Sequence, residues 1–513
     1  MATDLNTHQS EAHRHRFIAT GIHGLDTILK GGFLEGGLYL LQGGPGSGKT
    51  TVGLQYLLKR ANEGKRVLYI SLTESRRELE MICTSRGWKL DDIDLCDMVR
   101  ASLHPVEESK GSIFDPSEIE LGDMIKIIIS EIEKASPSDL VIDGLSELRV
   151  LAGSPLRYRR QILSLKIFLE QRGITTLLLD DKSPEIDQHG QQALMGGNIV
   201  LETTLPLYGR ARRRLYIGKV RSTDFQEGFH DYEIRDAGLF VFPRLVSPLH
   251  TPTVEEQRLH PSGIATLDGM FKGGLRTGTS SVLIGPSGVG KSTLAMQFAA
   301  NALKLGAKVA VYTFDEVLAT FLTRSEKLNF AGVRGALNPY LEDHRLIARQ
   351  IDPAELTPGA FAQEVRDAVE TGTSLIIIDS LNGYINAMPE ERFLSTHLHE
   401  LVSFLNQKNV ITIMVVAEHG VLRGPVADFN VSYLADSILL LKYFERHGEI
   451  LRGLSVFKNR TGPHEHTMRE LSILETGIEI GEPVHGLRDI AAGPLYSDSA
   501  AAGASLHPNS VQG

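Results

Sequence analysis

The sequence predicts an α/β protein of two tandem domains, each a mostly parallel β-sheet flanked by helices. Three observations carry that expectation. One half of the chain repeats the other at a constant offset. Each half alternates short apolar runs with longer helical patterns, and each carries one glycine-rich loop between a strand and a helix.

The repeat is legible residue by residue. TGIHGLDTILKGGFLEGGLYLLQGGPGSGKTT, from Thr20, aligns without a gap with SGIATLDGMFKGGLRTGTSSVLIGPSGVGKST, from Ser262. Gly21 matches Gly263, Asp26 matches Asp268, Gly31 matches Gly273 and Lys49 matches Lys291, always 242 positions apart. RVLYISLTES (Arg66 to Ser75) keeps the same offset to KVAVYTFDEV (Lys308 to Val317). A solenoid repeats every ~20–50 residues, so a period this long is a duplicated domain.

The strands follow from the apolar runs. LYLLQ, RVLYISL, DLVID and ITTLLLD in the first copy, and SSVLI, KVAVYTF, SLIIID and VITIMVV in the second, are short and nearly continuous in Val, Ile and Leu. Such runs separated by helices belong to parallel sheets covered on both faces. Pro243, Pro248 and Pro252 break any regular element, which places a linker at about Pro243 to Pro261. The expected organisation is a flexible arm over residues 1–16, a first domain over 17–246, a second over 247–485, and a C-terminal segment with a disordered tail over 486–513.

Composition narrows the class. The chain has 513 residues, 42% hydrophobic and 23% charged, as a soluble globular protein does. Its formal charge of −10 argues against gripping nucleic acid as the main task. No apolar run reaches the ~18–20 residues that span a bilayer, and the polar N-terminus carries no signal-peptide core, so no membrane partner is expected. The N-terminal histidines, His8, His13 and His15, have no partner cluster nearby and read as part of a solvated arm. Cys83 and Cys96 are too few for a disulfide framework and lack metal-ligand spacing, as suits a reducing cytoplasm. From about Ser497 the residues are small and polar, too poor in apolar surface to offset the cost of ordering them.

The glycine-rich loops carry the chemistry. Gly43, Gly44, Pro45, Gly46, Ser47, Gly48, Lys49 and Thr50, followed by Thr51, form one; Gly285, Pro286, Ser287, Gly288, Val289, Gly290, Lys291 and Ser292, followed by Thr293, form the other. Both fit G-x-x-x-x-G-K-[ST], the loop whose inward backbone N–H groups cradle ATP phosphates at a helix N-terminus. Lys49 and Lys291 then reach the β- and γ-phosphates, while the Thr50 and Ser292 hydroxyls ligate Mg²⁺. Asp143 and Asp379, each ending an apolar strand, stand where a carboxylate supports that ion, although a strand-end Asp is often only a cap. A hydrolytic site also needs a base for the attacking water. Glu74 and Glu316 end equivalent strands at the same offset and are the candidates, with Asp315 as assistant to Glu316.

With these residues in place the chain resembles the KaiC family of bacterial and archaeal ATPases, within the RecA/DnaB superfamily, from about Phe17 to Leu495. The resemblance implies two RecA-like domains, ATP and Mg²⁺ as cofactors, a homo-hexameric ring and a KaiB-like regulatory protein as candidate partner. SRGW (Ser85 to Trp88) resembles the helix that packs on adenine, which gives Ser85 the base-binding position. Arg213, Lys219 and Arg221, then Arg452, Lys458 and Arg460, resemble the basic residues that reach a neighbouring subunit's nucleotide. Without the resemblance they read as a solvated hairpin. The family's second domain is an autokinase acting on an adjacent Ser-Thr pair, and Ser432 and Tyr433 fall on those positions with Asp436 retained. The phenol at Tyr433 departs from the pattern, as do Thr73-Glu74 and Asp315-Glu316 where the family has paired glutamates. These changes keep one glutamate per site, so ATP hydrolysis is expected, and they put a two-site phosphorylation cycle in doubt. VHGLRDIAAGPLY resembles the family's C-terminal loop segment. The rival architecture on the same loops is a DNA-dependent recombinase or helicase, for which GRARRRLY (Gly209 to Tyr216) is the only dense basic run.

Overall fold

A computed structural model describes residues 16–98, 116–182, 193–206, 209–221, 223–246, 257–327, 337–352, 354–386, 394–417, 433–485 and 488–489. The arm over 1–15, Ser432, and the C-terminal tail beyond Asp489 lie outside the described residues. The chain divides into two compact units that change over at Arg244 and Leu245, apart from Thr357–Gln363, which groups with the first.

The first unit opens with a two-residue ladder, β1 (Phe17–Ile18) against β2 (Phe33–Leu34). The repeated Gly-x-x-x-Leu-Asp entry has a structural reason here. Asp26 Oδ1 accepts from both the backbone N (2.8 Å) and the Oγ1 (2.7 Å) of Thr20, closing the entry turn. Asp268 does the same for Ser262 in the second unit, at 2.6 and 2.7 Å. The second glycine of each Gly-Gly pair is obligatory. A Cβ on Gly32 would lie 2.1 Å from the Ile18 carbonyl, and one on Gly274 would lie 2.3 Å from that of His260.

Nine further strands form the main sheet: β3 (Leu38–Gly43), β4 (Val67–Ser71), β5 (Asp94–Asp97), β6 (Asp139–Asp143), β7 (Thr175–Asp181), β8 (Gly197–Thr204), β9 (Arg212–Val220), β10 (His230–Arg235) and β11 (Gly238–Phe242). Their order is β11-β10-β9-β8-β3-β7-β6-β4-β5. From β8 to β5 every pair is parallel, and β9 to β11 continue antiparallel. Alternate residues feed two cores. Leu38, Leu40, Leu140 and Ile142 pack on one face, and Tyr39, Leu41 and Val141 on the other. Burial on both faces is why these strands read as unbroken apolar runs rather than alternating ones.

The second unit repeats the plan after its own ladder, β12 (Leu259–His260) with β13 (Leu275–Arg276). Its sheet comprises β14 (Ser280–Gly285), β15 (Lys308–Thr313), β16 (Leu346–Gln350), β17 (Thr373–Asp379), β18 (Ile411–Ala417), β19 (Ser437–Arg446), β20 (Glu449–Asn459), β21 (Arg469–Leu474) and β22 (Gly477–Pro483). The order is β16-β15-β17-β18-β14-β19-β20-β21-β22, and a short strand, β23 (Arg488–Asp489), adds to β19. The predicted architecture of two mostly parallel sheets flanked by helices is therefore the one observed, each sheet extended on one side by antiparallel strands. Among the described residues no helix is long and apolar enough to cross a membrane.

Candidate functional site

Each phosphate loop leaves the end of the central strand and enters a helix, Lys49–Asn62 after β3 and Lys291–Lys304 after β14. The last loop glycines, Gly48 and Gly290, adopt left-handed backbones (φ 96° and 108°), which let the helix begin without a side chain over the loop. A Cβ at either position would press on an isoleucine of the antiparallel strands, Ile234 at 2.8 Å or Ile473 at 2.5 Å.

In the first unit, β3, β4, β6 and β7 bring the predicted residues to one cleft of about 450 Å³. Thr50 Oγ1 donates to Asp143 Oδ2 at 2.9 Å and lies 3.4 Å from Glu74 Oε1. Tyr69 Oη also donates to Asp143 Oδ2, a tether that the sequence does not reveal. Burial pushes the Asp143 carboxyl up, opposed by the hydrogen bonds from Tyr69 and Thr50. Glu74 is held at the end of β4, where its N–H donates to Ser71 Oγ (3.0 Å) and Ser71 Oγ donates to its carbonyl (2.7 Å). The following helix, Arg76–Ser85, starts on a Ser75–Glu78 capping box, which fixes the turn just beyond Glu74. Burial, and next the charge of Asp143, raise the Glu74 carboxyl from 4.5 to about 7. Its Oε2 is buried with no hydrogen-bond partner.

This donor set fits Mg²⁺. A hydroxyl and carboxylates, all oxygen, converge beside the loop, and a buried carboxylate oxygen is left without a partner. Hard divalent cations take such ligands.

Lys49 Nζ donates to the carbonyls of Gly43 (2.9 Å) and Gly44 (3.2 Å) and pairs with Asp181 Oδ1 at 2.9 Å. Sequence reading missed Asp181, whose strand-end position was its only signal. Ser85 is exposed, with its Oγ donating to the Ile82 carbonyl (2.8 Å). The side of the cleft beside that helix is lined instead by Ile82 and Arg86, with Ile234 opposite the loop.

The second unit arranges its loop lysine and strand-end acid alike, with different partners around its acids. Lys291 Nζ donates to the Gly285 (2.8 Å) and Pro286 (2.7 Å) carbonyls. Burial raises the Asp379 carboxyl, opposed first by a hydrogen bond from Ser292 and then by the Arg324 charge. Glu316 Oε1 pairs with Arg324 Nη1 at 2.9 Å. Arg324 lies on the helix Leu318–Lys327, at the position where the first copy has Ile82 under the 242-residue offset. Asp315 accepts from Ser380 Oγ, which in turn accepts from Gly383 N (3.2 Å), so its carboxylate braces the start of the next helix.

Arg213 and Lys219 sit on β9, and Arg452 and Lys458 on the equivalent β20, with Arg221 and Arg460 just past the end of each strand. Each strand has a register shift just before its lysine: Lys219 pairs with Asn198 and Ile217 with Ile199, while Lys458 pairs with Ile438 and Val456 with Leu439. The extra residues, Gly218 and Phe457, bulge out, and a bulge re-aims the side chain that follows. Burial, and then Arg221, lower the Lys219 ammonium; burial and then Arg460 lower that of Lys458. Lys458 Nζ donates to the Ala435 carbonyl (2.7 Å), and Arg460 Nη1 reaches Asp436 Oδ1 at 4.0 Å and the Tyr433 carbonyl at 3.5 Å. Arg221 donates to the Ala193 carbonyl. Arg213 and Arg452 each keep a buried Nε with no hydrogen-bond partner. Tyr433 is 45% exposed.

A family model described as "ATPase: KaiC" matches residues 18–246 and again 260–485. The chain is 26% identical over 498 residues to the circadian clock oscillator protein KaiC of Acaryochloris marina, covering 93% of this chain and 90% of that one. It is 24% identical to the circadian clock protein KaiC3 of Synechocystis sp., covering 94% and 95%. Identity to the circadian clock oscillator protein KaiC of Prochlorococcus marinus is 27%, covering 93% of each chain.

Proposed function

The chain belongs to the KaiC family of ATPases, and from that premise we propose an ATP-hydrolysing signalling protein, assembled as a homo-hexameric ring, whose second domain also phosphorylates its own Ser432. The observation that carries the hydrolytic reading is the first cleft. There Thr50, Asp143 and Glu74 converge beside the Lys49 loop, and Glu74 keeps an unpartnered carboxylate oxygen.

The reaction follows from these positions. The inward N–H groups of the loop and the helix N-terminus bind the phosphates, and Lys49 or Lys291 meets the β- and γ-oxygens. Thr50 with Asp143, and Ser292 with Asp379, would hold Mg²⁺, which neutralises charge on the phosphates. Glu74 and Glu316 accept the proton of the attacking water. A Glu whose proton is held until about pH 7 is matched to taking one up near neutrality. Arg213, Lys219 and Arg221, and Arg452, Lys458 and Arg460, would complete a neighbour's site and stabilise charge on the transferring phosphoryl. The partnerless Nε of Arg213 and of Arg452 supports that assignment. Ser85 would lie beside the base.

For the kinase step, a serine hydroxyl has the short reach that in-line transfer requires, whereas a phenol sets its oxygen several bonds farther out. Ser432 is therefore the acceptor, with Tyr433 phosphorylated weakly or not at all. Intact-mass analysis and phosphopeptide mapping after incubation with Mg·ATP test this, beside an assay of released phosphate. Phosphate on Ser432 that disappears in Lys291→Ala supports the kinase. An unmodified peptide with phosphate release intact leaves an ATPase without the kinase step.

A further inference from the structure

Tyr69 lies on β4 with its side chain wholly buried, and its Oη donates to Asp143 Oδ2. The same carboxylate oxygen accepts from Thr50 Oγ1 at 2.9 Å. Two hydroxyls, one from a central strand and one from the first turn of the helix Lys49–Asn62, thus converge on one oxygen. An ionised carboxylate only accepts, and each of its oxygens has room for both donors. The terminal torsion of an aspartate is broad, so one donor leaves the carboxylate free to swivel, whereas a second donor from the core fixes its plane. With Asp143 fixed, the Thr50 proton stays directed at it, and the lone pairs of the Thr50 oxygen remain for a cation.

The packing around the phenol is fitted to it. Gly53 sits within the helix Lys49–Asn62, where glycine is less favourable than alanine. A Cβ there would lie 3.0 Å from Val141 Cγ1, 3.2 Å from Leu179 Cδ1 and 3.5 Å from Tyr69 Cε2, so its absence lets the helix close on the strands that hold the ring. The second copy differs at both positions. Under the 242-residue offset Gly53 becomes Ala295 and Tyr69 becomes Val311, both buried. Val311 pairs with Ile377, two residues before Asp379, as Tyr69 pairs with Val141, two residues before Asp143. Val311 therefore stands in the same place and has no hydroxyl to give.

We propose that Tyr69 is a positioning residue for the divalent cation of the first site: it holds Asp143, and through Asp143 the Thr50 hydroxyl, in the arrangement that receives Mg²⁺. The inference rests on the reading of this loop as an Mg·ATP site and adds to it a residue outside the loop and the strand-end acids. Its consequence is that removing the phenolic oxygen weakens the metal and leaves the other contacts of the nucleotide intact. Partners that orient metal ligands in this way typically change metal affinity roughly 10–100-fold.

The test uses the full chain with Lys291→Ala, which confines nucleotide binding to the first site, and reads ADP affinity in equilibrium binding as Mg²⁺ is titrated from zero. Tyr69→Phe keeps the ring and removes only the hydroxyl. Tyr69→Val with Gly53→Ala installs the pair of the second copy, a packing that this fold already accepts. Both variants should raise the half-maximal Mg²⁺ concentration roughly 10–100-fold and leave ADP affinity without metal unchanged. Mn²⁺ binding to the ADP complex, followed by its paramagnetic resonance signal, should weaken in the same proportion. An unchanged metal requirement overturns the inference. So does an equal loss of ADP affinity with and without metal, which would make Tyr69 a packing residue. Wild-type ADP binding by Lys49→Ala, Lys291→Ala together would instead overturn the loop assignment itself, so the two failures are distinguishable.

Discussion

Replacing Glu74 by Gln should remove hydrolysis from the first domain and, above neutral pH, make that domain more stable. Both effects come from one feature, a carboxylate held partly out of water beside Asp143 with Oε2 unpartnered. The native carboxyl titrates at about 7, against 4.5 for an ordinary glutamate. Below 4.5 both folded and unfolded chains hold the proton, and the group makes no difference. Between 4.5 and 7 the unfolded chain releases a proton that the native one keeps, so this residue's contribution falls as pH rises, and above 7 the full penalty is present. At about 1.36 kcal/mol per pH decade the ceiling is about 3 kcal/mol. Solvent at the open side of the cleft reduces it to about 1–2 kcal/mol. Gln carries no such charge. For a domain of this size each kcal/mol corresponds to about 2–4 °C. Thermal unfolding of wild type and Glu74→Gln, without nucleotide, at pH 5 and pH 8, should therefore show a gain that appears only at the higher pH. Loss of a general base should cost roughly 10²–10⁴-fold in first-domain turnover, measured in a Lys291→Ala background. The wild-type kcat/KM in that background should rise with pH and level off above about 7, because the base must be ionised in the free enzyme. A variant that hydrolyses at the wild-type rate, or that is equally stabilised at both pH values, would refute the reasoning.

Three further outcomes follow from named contacts. Lys219→Ala with Arg221→Ala should lower first-domain kcat more than it weakens nucleotide binding, because the groups act on charge that develops during transfer; equal losses in both would contradict this. Light scattering should show ATP-dependent growth of the particle to a hexamer, and a monomer at saturating ATP would exclude the ring. Arg324→Ile, which installs the residue of the first copy, should release Glu316 from its 2.9 Å ion pair and raise second-domain hydrolysis roughly two- to fivefold in a Lys49→Ala background; a fall in rate would instead make Arg324 part of the catalytic apparatus.

What the sequence determined by itself was whatever depends on contiguous residues. The phosphate loops, the Asp26 and Asp268 entry turns and the apolar strands each express a local backbone requirement, and the duplication displays each requirement twice. The strand-end acids Glu74, Asp143, Glu316 and Asp379 were legible for the same reason, since an apolar run that stops at a carboxylate marks the rim of a parallel sheet. Tertiary structure alone decided which partners those acids have. Tyr69 on Asp143, Arg324 on Glu316, Ser380 on Asp315 and Asp181 on Lys49 are joined by strand register or by a neighbouring helix face, and no spacing along the chain records them. The bulges before Lys219 and Lys458 are likewise invisible to a pattern of residue types, because an extra residue in a ladder exists only relative to the strand it pairs with. Two loops that share one glycine and lysine pattern thus acquire different neighbours from residues outside the loops.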